Sequence, residues 1–352
     1  MFIKMNNLKS ILFVSPGGAS KATPFISDLS LIKNLETDVI YTKTNSYDYY
    51  GGKPSILLRI LTKLRIPYDQ TQINKRLLNK INYKNYDYVF IIKGNLIKPS
   101  TLKKIKKTLK KTKIISWSSD DMMQSHNSSF FYLLSLKHYD LVSTTKSFNT
   151  LPKELPYYGA KKVLFQNNAY IKSLHRPLLV ENKFEKKYSS LFVGFAEKDR
   201  FESMNFLAKN GVNIDIFGSG WEKSYYQKNA HPNLNINTSN LEGDDYTRAL
   251  SNAYISLCFL RKINRDVQTA RSAEIPACGG LMLAERTDEH LAMFEEDKEA
   301  IYFSSDNELL EKINYLLDNE NHRHCVAANG YKKCIESKMS YVDRLNIILD
   351  NV

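Results

Sequence analysis

Short apolar runs recur along the chain and alternate with longer stretches in which apolar residues return every three or four positions. In the first half, the runs predict strands at residues 10–15, 38–42, 86–93, 113–117, 140–144 and 161–165. The amphipathic stretches predict helices at 25–35, 55–64, 69–81, 99–111 and 130–136. Strands that alternate with helices at this spacing are typical of an α/β fold with a parallel, doubly wound sheet.

The same rhythm restarts after a polar segment at 175–187, which we interpret as a linker. It predicts strands at 189–194, 212–218, 234–236, 253–260, 281–284 and 300–303, helices at 198–209, 243–252, 288–294 and 306–318, and a tail that is helical throughout 321–350. A chain of 352 residues also exceeds one comfortable core. We therefore expect two Rossmann-like domains that face each other across a cleft, at 1–175 and 176–335. A final helix at 336–352 is expected to cross back to the first domain.

The net charge of +13 is unevenly distributed between the two halves. Residues 1–175 hold 28 Lys and Arg against 10 Asp and Glu, whereas the remainder holds 22 against 27. Six of the lysines lie in one predicted helix: Lys103, Lys104, Lys106, Lys107, Lys110 and Lys111. Such a half is suited to an anionic partner: a membrane surface, a lipid-linked phosphate, an acidic glycan or nucleic acid. The alternative is a solvated, lysine-rich surface.

The cysteines and the hydropathy indicate a cytoplasmic protein. Cys258, Cys278, Cys325 and Cys334 form no C-x-x-C pair, which favours reduced thiols over disulfides or a metal site. No apolar run is long enough to span a bilayer. The apolar piece near the N-terminus is followed by Pro16, Gly17 and Gly18 and is interpreted as a first strand rather than a signal peptide. Attachment to the inner face of the cytoplasmic membrane would then be peripheral.

Residues 264–280, NRDVQTARSAEIPACGG, concentrate polar side chains between two apolar strands. Asp266 and Glu274 lie eight positions apart, and Arg265 and Arg271 are interleaved with them. Loops that follow the strands of an open α/β sheet hold its ligands. The two arginines predict an anion site here.

Several blocks of the second half, read in order, resemble the glycosyl transferase group 1 family of the spore-maturation (CgeB) type. They are FVGFAEKDR, NIDIFGSGW, GDDYTRALSNAYISLCFL, NRDVQTARSAEIPACGGLMLAERTDEHLAMFEEDKEAIYF and NELLEKINYLLDN. The resemblance implies a GT-B fold, in which two facing Rossmann domains bind a nucleotide-sugar donor mainly through the C-terminal domain. It also implies that the N-terminal domain recognises the acceptor.

Retaining enzymes of this fold carry a Glu-x7-Glu motif that overlies the 264–280 stretch. Glu274 matches the second glutamate, whose family role is to bond the ribose hydroxyls. Asp266 stands at the first position, one methylene shorter than glutamate, and is a departure from the pattern. A retaining mechanism is favoured over an inverting one.

A departing nucleotide diphosphate carries negative charge that cations and N–H groups stabilise. Arg271 and Arg200 are the first candidates for this catalytic role, followed by Arg265. The alternative for Arg271 is a surface ion pair with Glu274, three residues on.

Several glycines and the start of one helix are predicted to bring backbone groups close to the donor. Gly194 and Gly218 end strands and would let the chain approach a ligand; the alternative for Gly218 is a plain turn. Thr287 or Asp288 caps the next helix, whose N–H groups could face the pyrophosphate. In the first half, Gly17 and Gly18 follow the first strand.

Asp121 or His126 could act as the general base towards an acceptor hydroxyl if the enzyme inverts. Each has a structural alternative, since the neighbouring Asp120 could equally cap the next helix. The adjacent acids Asp120-Asp121 and Asp244-Asp245 would point apart on a strand, and no DxD pair is present. We therefore expect a metal-independent enzyme without a cofactor, in which the nucleotide-sugar is a co-substrate.

The predicted function is transfer of a sugar from a UDP- or GDP-linked donor to a hydroxyl of a surface glycan or its lipid-linked precursor. One alternative is a nucleic-acid-binding protein that uses the basic half. No helix-turn-helix, zinc or RNP-type motif supports it, so no nucleic-acid partner is expected. A second alternative is a non-catalytic, sugar-binding member of the fold.

Overall fold

A computed structural model describes residues 8–17, 23–32, 34–42, 56–178 and 187–352. The chain divides into two compact units, one of residues 1–167 with 344–352 and the other of residues 168–343. The predicted loop at Gly18 and most of the predicted linker at 175–187 lie outside the described residues.

The first unit is built on a parallel sheet of six strands in the order β2-β1-β3-β4-β5-β6. The strands are β1 (Lys9–Ser15), β2 (Leu35–Tyr41), β3 (Tyr88–Ile92), β4 (Lys113–Ser118), β5 (Leu141–Thr144) and β6 (Val163–Phe165). Its helices are α1 (Ile56–Lys63), α2 (Ile73–Tyr83), α3 (Pro99–Thr108) and α4 (Phe130–Ser135), with 3-10 turns at Ile26–Leu31, Leu136–His138 and Ser147–Thr150. Aliphatic side chains of β1, β3, α2 and α3 form its core.

The second unit holds another parallel sheet of six strands, in the order β12-β11-β10-β7-β8-β9. The strands are β7 (Tyr188–Val193), β8 (Ile214–Phe217), β9 (Leu234–Asn237), β10 (Ala253–Cys258), β11 (Met282–Glu285) and β12 (Ile301–Phe303). The helices are α5 (Lys198–Lys209), α6 (Ser224–Asn229), α7 (Gly243–Ser251), α8 (Arg271–Ala277), α9 (Asp288–Met293), α10 (Asp306–Asp318), α11 (Glu320–Glu336) and α12 (Tyr341–Asp350), with a 3-10 turn at Lys262–Asn264. The last helix begins in this unit and ends in the first.

Both sheets have a point where the strand order reverses. In the first sheet it lies between β1 and β3, and in the second between β7 and β10. Helices on both faces then cover a sheet whose strands are apolar on both sides, which is why the runs in the sequence are continuous rather than alternating. The α/β prediction, with a doubly wound parallel sheet in each half, is confirmed.

The predicted helix at 25–35 is wrong. Only a short 3-10 turn, Ile26–Leu31, forms there, and the second strand begins at Leu35 rather than at residue 38. All seven residues of β1 pair with β2, from Lys9 with Leu35 to Ser15 with Tyr41. Pairing with β1 therefore starts β2 three residues before the predicted strand, and it includes Leu35, the last residue of the predicted helix.

The predicted continuous helix over 321–350 is also wrong, because it is broken between Glu336 and Tyr341. Lys338 takes a left-handed conformation with φ 52°, and the backbone N–H of Tyr341 donates to the carbonyl of Tyr170. Ser340 and Asp343 exchange bonds as a capping box at the start of α12, a signal present in the sequence as Ser-x-x-Asp.

Candidate functional site

The carboxyl ends of β7 and β10 form the topological switch point of the second sheet. From these two neighbours the chain proceeds to opposite edges of the sheet, through β8 and β9 on one side and β11 and β12 on the other. Loops that leave such neighbouring strands in opposite directions open a crevice, where α/β proteins of this type bind their ligands. The residues at these two strand ends are therefore the first place to look for chemistry.

Arg200 bridges the two loops at the switch point. Its guanidinium donates from Nη1 to the carbonyl of Phe195, after β7, at 3.1 Å and from Nη2 to the carbonyl of Phe259, after β10, at 3.3 Å. The side chain is only 2 % exposed, and its Nε has no hydrogen-bond partner. Glu197 is the nearest carboxylate, at 3.9 Å from Nε.

Burial and then the charge of Arg271 lower the pKa of Arg200 to about 10. The group therefore remains a cation at neutral pH, though a poorly compensated one. A buried cation with incomplete hydrogen bonding is costly unless an anion completes its shell.

Arg271, at the start of α8, is the second cation of this group. Its Cζ lies 6.0 Å from the centroid of the Phe192 ring, and Cζ of Arg200 lies 5.7 Å from the same centroid. Its Nε is buried without a hydrogen-bond partner, and no carboxylate of the described residues pairs with it. The alternative interpretation of Arg271, an ion pair with Glu274, is not what the structure shows.

Glu274 is instead held by Tyr246 of α7. The tyrosine hydroxyl donates to Oε2 of Glu274 at 2.7 Å. Burial, and then the charge of Glu274, raise the pKa of Tyr246 well above its ordinary value, so the hydroxyl stays protonated and donates. The ring of His175 packs edge-on against Tyr246 at 5.8 Å. Tyr246 was missed in the sequence, because nothing local distinguishes it among 22 tyrosines.

Asp266 and Arg265 are built into the loop that precedes α8. Oδ1 of Asp266 accepts from Asn264 Nδ2 at 2.6 Å, and its backbone N–H donates to the carbonyl of Arg261 at 3.1 Å. Arg265 takes the left-handed conformation, φ 48°. The structure thus uses the short Asp266 side chain to shape this turn.

Gly194 and Gly218 approach each other. A Cβ on Gly218 would lie 2.2 Å from the carbonyl oxygen of Gly194, and Gly218 has φ 141°. The same oxygen accepts from the indole Nε1 of Trp221 at 2.9 Å. These glycines therefore let two backbone segments pack closely at the ends of β7 and β8.

Thr287 caps α9, accepting from the N–H of His290 at 3.1 Å and donating to the carbonyl of Val267 at 2.6 Å. Its hydroxyl ties α9 to the 264–280 stretch, while Asp288 is exposed.

His290 is buried between α9 and the 264–280 stretch. Its Nε2 lies 2.7 Å from Ser272 Oγ, and its Nδ1 lies 2.7 Å from the carbonyl of Glu285.

The candidates in the first unit have separate environments. Asp121 is fully buried and accepts from Asn149 Nδ2 at 3.0 Å and from the N–H of Met123 at 3.1 Å. His126 is exposed in the same loop. Gly17 donates from its N–H to Ser15 Oγ at 3.3 Å. Gly18 lies outside the described residues.

The two adjacent acid pairs are engaged by cations. Asp120 pairs with Lys93 at 2.6 Å, and Asp244 pairs with Arg176 at 3.3 Å. Within the described part of the chain, no group of three His, Cys, Asp or Glu side chains is arranged to hold a metal ion.

A cavity of about 140 Å³ opens next to Arg200 in the second unit. Charged and polar groups from the ends of β10, β11 and β12 line it, including Lys262, Glu285 and Ser305. Lys262 and Glu285 form an ion pair across this lining.

Comparisons with known proteins show what the part of the chain that carries this site is similar to. Residues 200–350 match the family described as glycosyl transferase-like, which covers somewhat less than half of the chain. None of the curated proteins compared with the chain matches it.

Solved structures resemble the chain over nearly its whole length. Sucrose-phosphate synthase from Thermosynechococcus elongatus has a TM-score of 0.66 at 10 % identity, covering 97 % of this chain and 98 % of that one. HepE of Anabaena, solved with UDP and glucose, has a TM-score of 0.60 at 11 % identity, with 98 % and 100 % covered. An alpha-glucosyltransferase in complex with UDP-glucose and abasic DNA has a TM-score of 0.65 at 15 % identity, with 97 % and 98 % covered. Likeness at this identity concerns the fold, and it confirms the predicted GT-B class.

Proposed function

We propose that the protein is a glycosyltransferase that takes a sugar from a nucleotide diphosphate-sugar and transfers it to an acceptor hydroxyl. The observation that carries the proposal is the Arg200–Arg271 pair at the switch point of the second sheet. Two guanidinium groups contact one phenylalanine ring, and neither has its hydrogen bonds completed by the protein. The match of residues 200–350 to a glycosyl transferase-like family supports the same function.

The two arginines fit a diphosphate by charge and by shape. Guanidinium groups bond phosphate oxygens through a planar fork, and two of them provide the charge that a departing diphosphate needs. Their mutual repulsion, which contributes to the lowered pKa of Arg200, is relieved when the anion binds. The negative charge that develops on the leaving group is stabilised by groups already in place.

Glu274 is proposed to bond the ribose hydroxyls of the donor. Tyr246 occupies one of its oxygens, and no other described residue bonds the carboxylate. Gly194, Gly218, Thr287 and Asp288 shape this end of the site, and Asp266 and Arg265 shape the loop before α8. We favour UDP or GDP as the nucleotide, a retaining outcome and a reaction that needs no metal ion or other cofactor.

The first unit is proposed to recognise the acceptor, a surface glycan or its lipid-linked precursor, at the cytoplasmic face of a membrane. Asp121, His126, Gly17 and Gly18 are the residues proposed there.

Substitution of Arg271 tests the catalytic assignment. Since Arg271 makes no ion pair with a described residue, Arg271→Ala should remain folded while turnover falls by about 100-fold or more, as for the loss of one charge-stabilising donor. Arg248→Ala is the matched control, because Arg248 is an exposed cation of the same unit. Donor hydrolysis and transfer are measured together with thermal unfolding. Wild-type turnover in Arg271→Ala would overturn the proposal.

Nucleotide binding tests the donor assignment separately. UDP or GDP at about 100 times its dissociation constant should stabilise the protein by about 2.7 kcal/mol. UMP or GMP should give a smaller shift in melting temperature, because the arginines are assigned to the diphosphate. A screen without any response to nucleotide diphosphates would contradict this assignment. NMR of the anomeric product distinguishes retention from inversion.

A further inference from the structure

Helix α1 of the first unit presents a row of exposed aliphatic side chains. Ile56, Ile60 and Leu64 are spaced four residues apart, and each is at least half exposed. The N–H of Leu64 donates to the carbonyl of Ile60 at 2.9 Å, so the helical turn continues through it. Residues at this spacing lie on one face of a helix. Arg59 and Lys63, both exposed, border the row.

Helix α4 presents a second exposed apolar pair, Phe130 and Leu134, again four residues apart and each about half exposed. The two rows adjoin at Arg65. The N–H of Phe130 donates to the carbonyl of Arg65 at 3.0 Å, and the Arg65 guanidinium donates to Ser128 Oγ at 2.5 Å. The end of the α1 row at Leu64 is therefore held next to the start of α4 at Phe130, and we treat the two rows as one exposed surface.

Lysines gather beside this surface. Lys137 follows Leu134 by one turn, and a Cβ on Gly159 would lie 3.2 Å from Cβ of Lys137, which places the segment that leads to Lys161 beside it. Lys137 and Lys161 are exposed, as is Lys103 of α3, the helix that packs against α4. By contrast, Lys106 of the lysine-rich helix is paired with Asp140. Lys103, Lys137 and Lys161 therefore remain available to an anionic partner, whereas Lys106 is neutralised by a carboxylate of the same unit.

We propose that these apolar and basic side chains together form a docking surface for an anionic membrane. The aliphatic and aromatic groups would enter the boundary between headgroups and acyl chains, and the lysines would contact the anionic headgroups. Tyr157 and Tyr158 are exposed in the segment next to Lys137, since a Cβ on Gly159 would lie 3.2 Å from that of Lys137. Tyrosine is enriched at the membrane–water boundary.

The composition of the docking surface favours a membrane as its partner over a second copy of the chain or duplex nucleic acid. A second copy of the chain on this surface would bring the lysine groups of two copies together, which is unfavourable in an interface. Duplex nucleic acid would use the cations but leave the aliphatic row of α1 without a partner. None of the helices in the part of the chain that the structure describes is long and apolar enough to cross a bilayer, so contact through this surface would be peripheral.

The docking surface lies next to the carboxyl edge of the first sheet. Asn95 follows β3; its side chain donates to the carbonyl of Asn127 at 2.8 Å and accepts from the N–H of Ser129 at 3.1 Å. Because Ser129 caps α4, the start of that helix is tied to the edge where parallel sheets hold their ligands. The inference rests on the proposed function only in its final step, that a lipid-anchored acceptor is presented at this edge.

Vesicle flotation of the full-length protein tests the docking without donor or acceptor. The protein should bind phosphatidylcholine vesicles that contain about 30 % phosphatidylglycerol, bind pure phosphatidylcholine far less, and dissociate as salt is raised. The double variant Ile60→Glu/Leu134→Glu should bind at least about tenfold more weakly, because it removes buried apolar area and adds like charge to the lipid. Lys137→Glu/Lys161→Glu should lose the preference for anionic vesicles.

Tyr83→Glu is the matched control, since Tyr83 is 90 % exposed on α2 of the same unit and lies outside the surface. It should bind vesicles like the wild-type protein. The proposal is overturned if the wild-type protein does not float, if Tyr83→Glu and Ile60→Glu/Leu134→Glu bind vesicles alike, or if the double variant abolishes self-association of the protein instead of lipid binding. Salt-sensitive retention of duplex DNA that competes with vesicles would also overturn it. The nucleotide-induced shift in melting temperature is recorded for every variant, so loss of docking is distinguished from loss of the donor site.

Discussion

Single side chains decide how well the second unit can hold an anion. Arg200 donates its two Nη groups to backbone carbonyls and its Nε makes no hydrogen bond, while Arg271 has no carboxylate partner among the described residues. The charges nearest to Arg200 include both Arg271 and Glu197, so repulsion and attraction partly cancel. A nucleotide diphosphate would change that balance, which is why nucleotide binding and Arg271 are tested first.

Tyr246 is expected to position Glu274 rather than to take part in the reaction. Tyr246→Phe removes the 2.7 Å hydrogen bond and frees the carboxylate to rotate. A hydrogen bond to a charged group is worth about 1.5–3 kcal/mol, so the donor KM should rise by about tenfold or more, with kcat little changed. Steady-state kinetics with varied donor measures this split.

Tyr302→Phe is the control for that substitution. The Tyr302 hydroxyl donates to the carbonyls of His290 and Phe294, so its loss should lower the melting temperature without changing the donor KM. Equal KM values in Tyr246→Phe and the wild type would refute a positioning role.

His290 should make the protein less stable in mild acid. Burial lowers its pKa below the ordinary value, against the opposite effect of Glu285, so the folded state keeps the ring neutral. The unfolded chain takes up a proton below about pH 6.5, and the stability that this group contributes above that pH is lost as the pH falls. The slope is at most about 1.4 kcal/mol per pH unit for one proton.

Urea unfolding at several pH values between neutral and mildly acidic measures that slope. The loss of unfolding free energy on acidification should be smaller in His290→Gln than in the wild type. His138, whose pKa is also lowered, contributes equally to the slope in both proteins. Parallel declines in the wild type and His290→Gln would contradict the assignment.

At the scale of elements, the ends of β7 and β8 depend on a close approach of backbone. Gly218→Ala would place a Cβ 2.2 Å from the carbonyl oxygen of Gly194, at φ 141°. We expect a loss of about 3 kcal/mol or more in the free energy of unfolding, since both the contact and the conformation are unfavourable.

Gly211→Ala provides the comparison for this element. Gly211 also has a positive φ, 91°, but a Cβ there would meet nothing within 4 Å. Gly211→Ala should therefore lower the free energy of unfolding only through backbone strain, by about 1–2 kcal/mol. Chemical denaturation of both variants measures the difference, and equal losses would show that the Gly194 contact is unimportant.

At the scale of the whole molecule, the first unit is completed by the end of the chain. Leu345 and Ile348 of α12 are fully buried, and residues 344–352 belong to that unit. The carbonyl of Arg344 accepts from Gln166 Nε2 at 3.4 Å, and Lys162 donates to the carbonyl of Asn351. Leu345→Ala should cost about 2–5 kcal/mol.

Ile347→Ala is the matched substitution, because Ile347 is exposed on the same helix. Calorimetry should show that Leu345→Ala lowers the transition of the first unit, whereas Ile347→Ala leaves it nearly unchanged. UDP should still raise the transition of the second unit in both variants. An equal effect of the two substitutions would mean that α12 contributes no core to the first unit.

The sequence by itself determined the class of fold and indicated the region of the proposed site, because both depend on patterns that are local. Helices α5 and α10 begin and end at the residues that their periodicity predicts. Arg200 and Arg271 were proposed from residue type and position within single segments, and Glu274 from the resemblance to a family motif.

Tertiary structure alone decided the rest. Pairing with β1 extended β2 back to Leu35, the last residue of a predicted helix, and the backbone contact of Tyr341 with Tyr170 accompanies the break in the last helix. Tyr246 meets Glu274 across 28 positions, and Arg200 meets the carbonyl of Phe259 across 59. Such partners come together only when strands distant in the chain become neighbours in the sheet, and no periodicity or local motif records that.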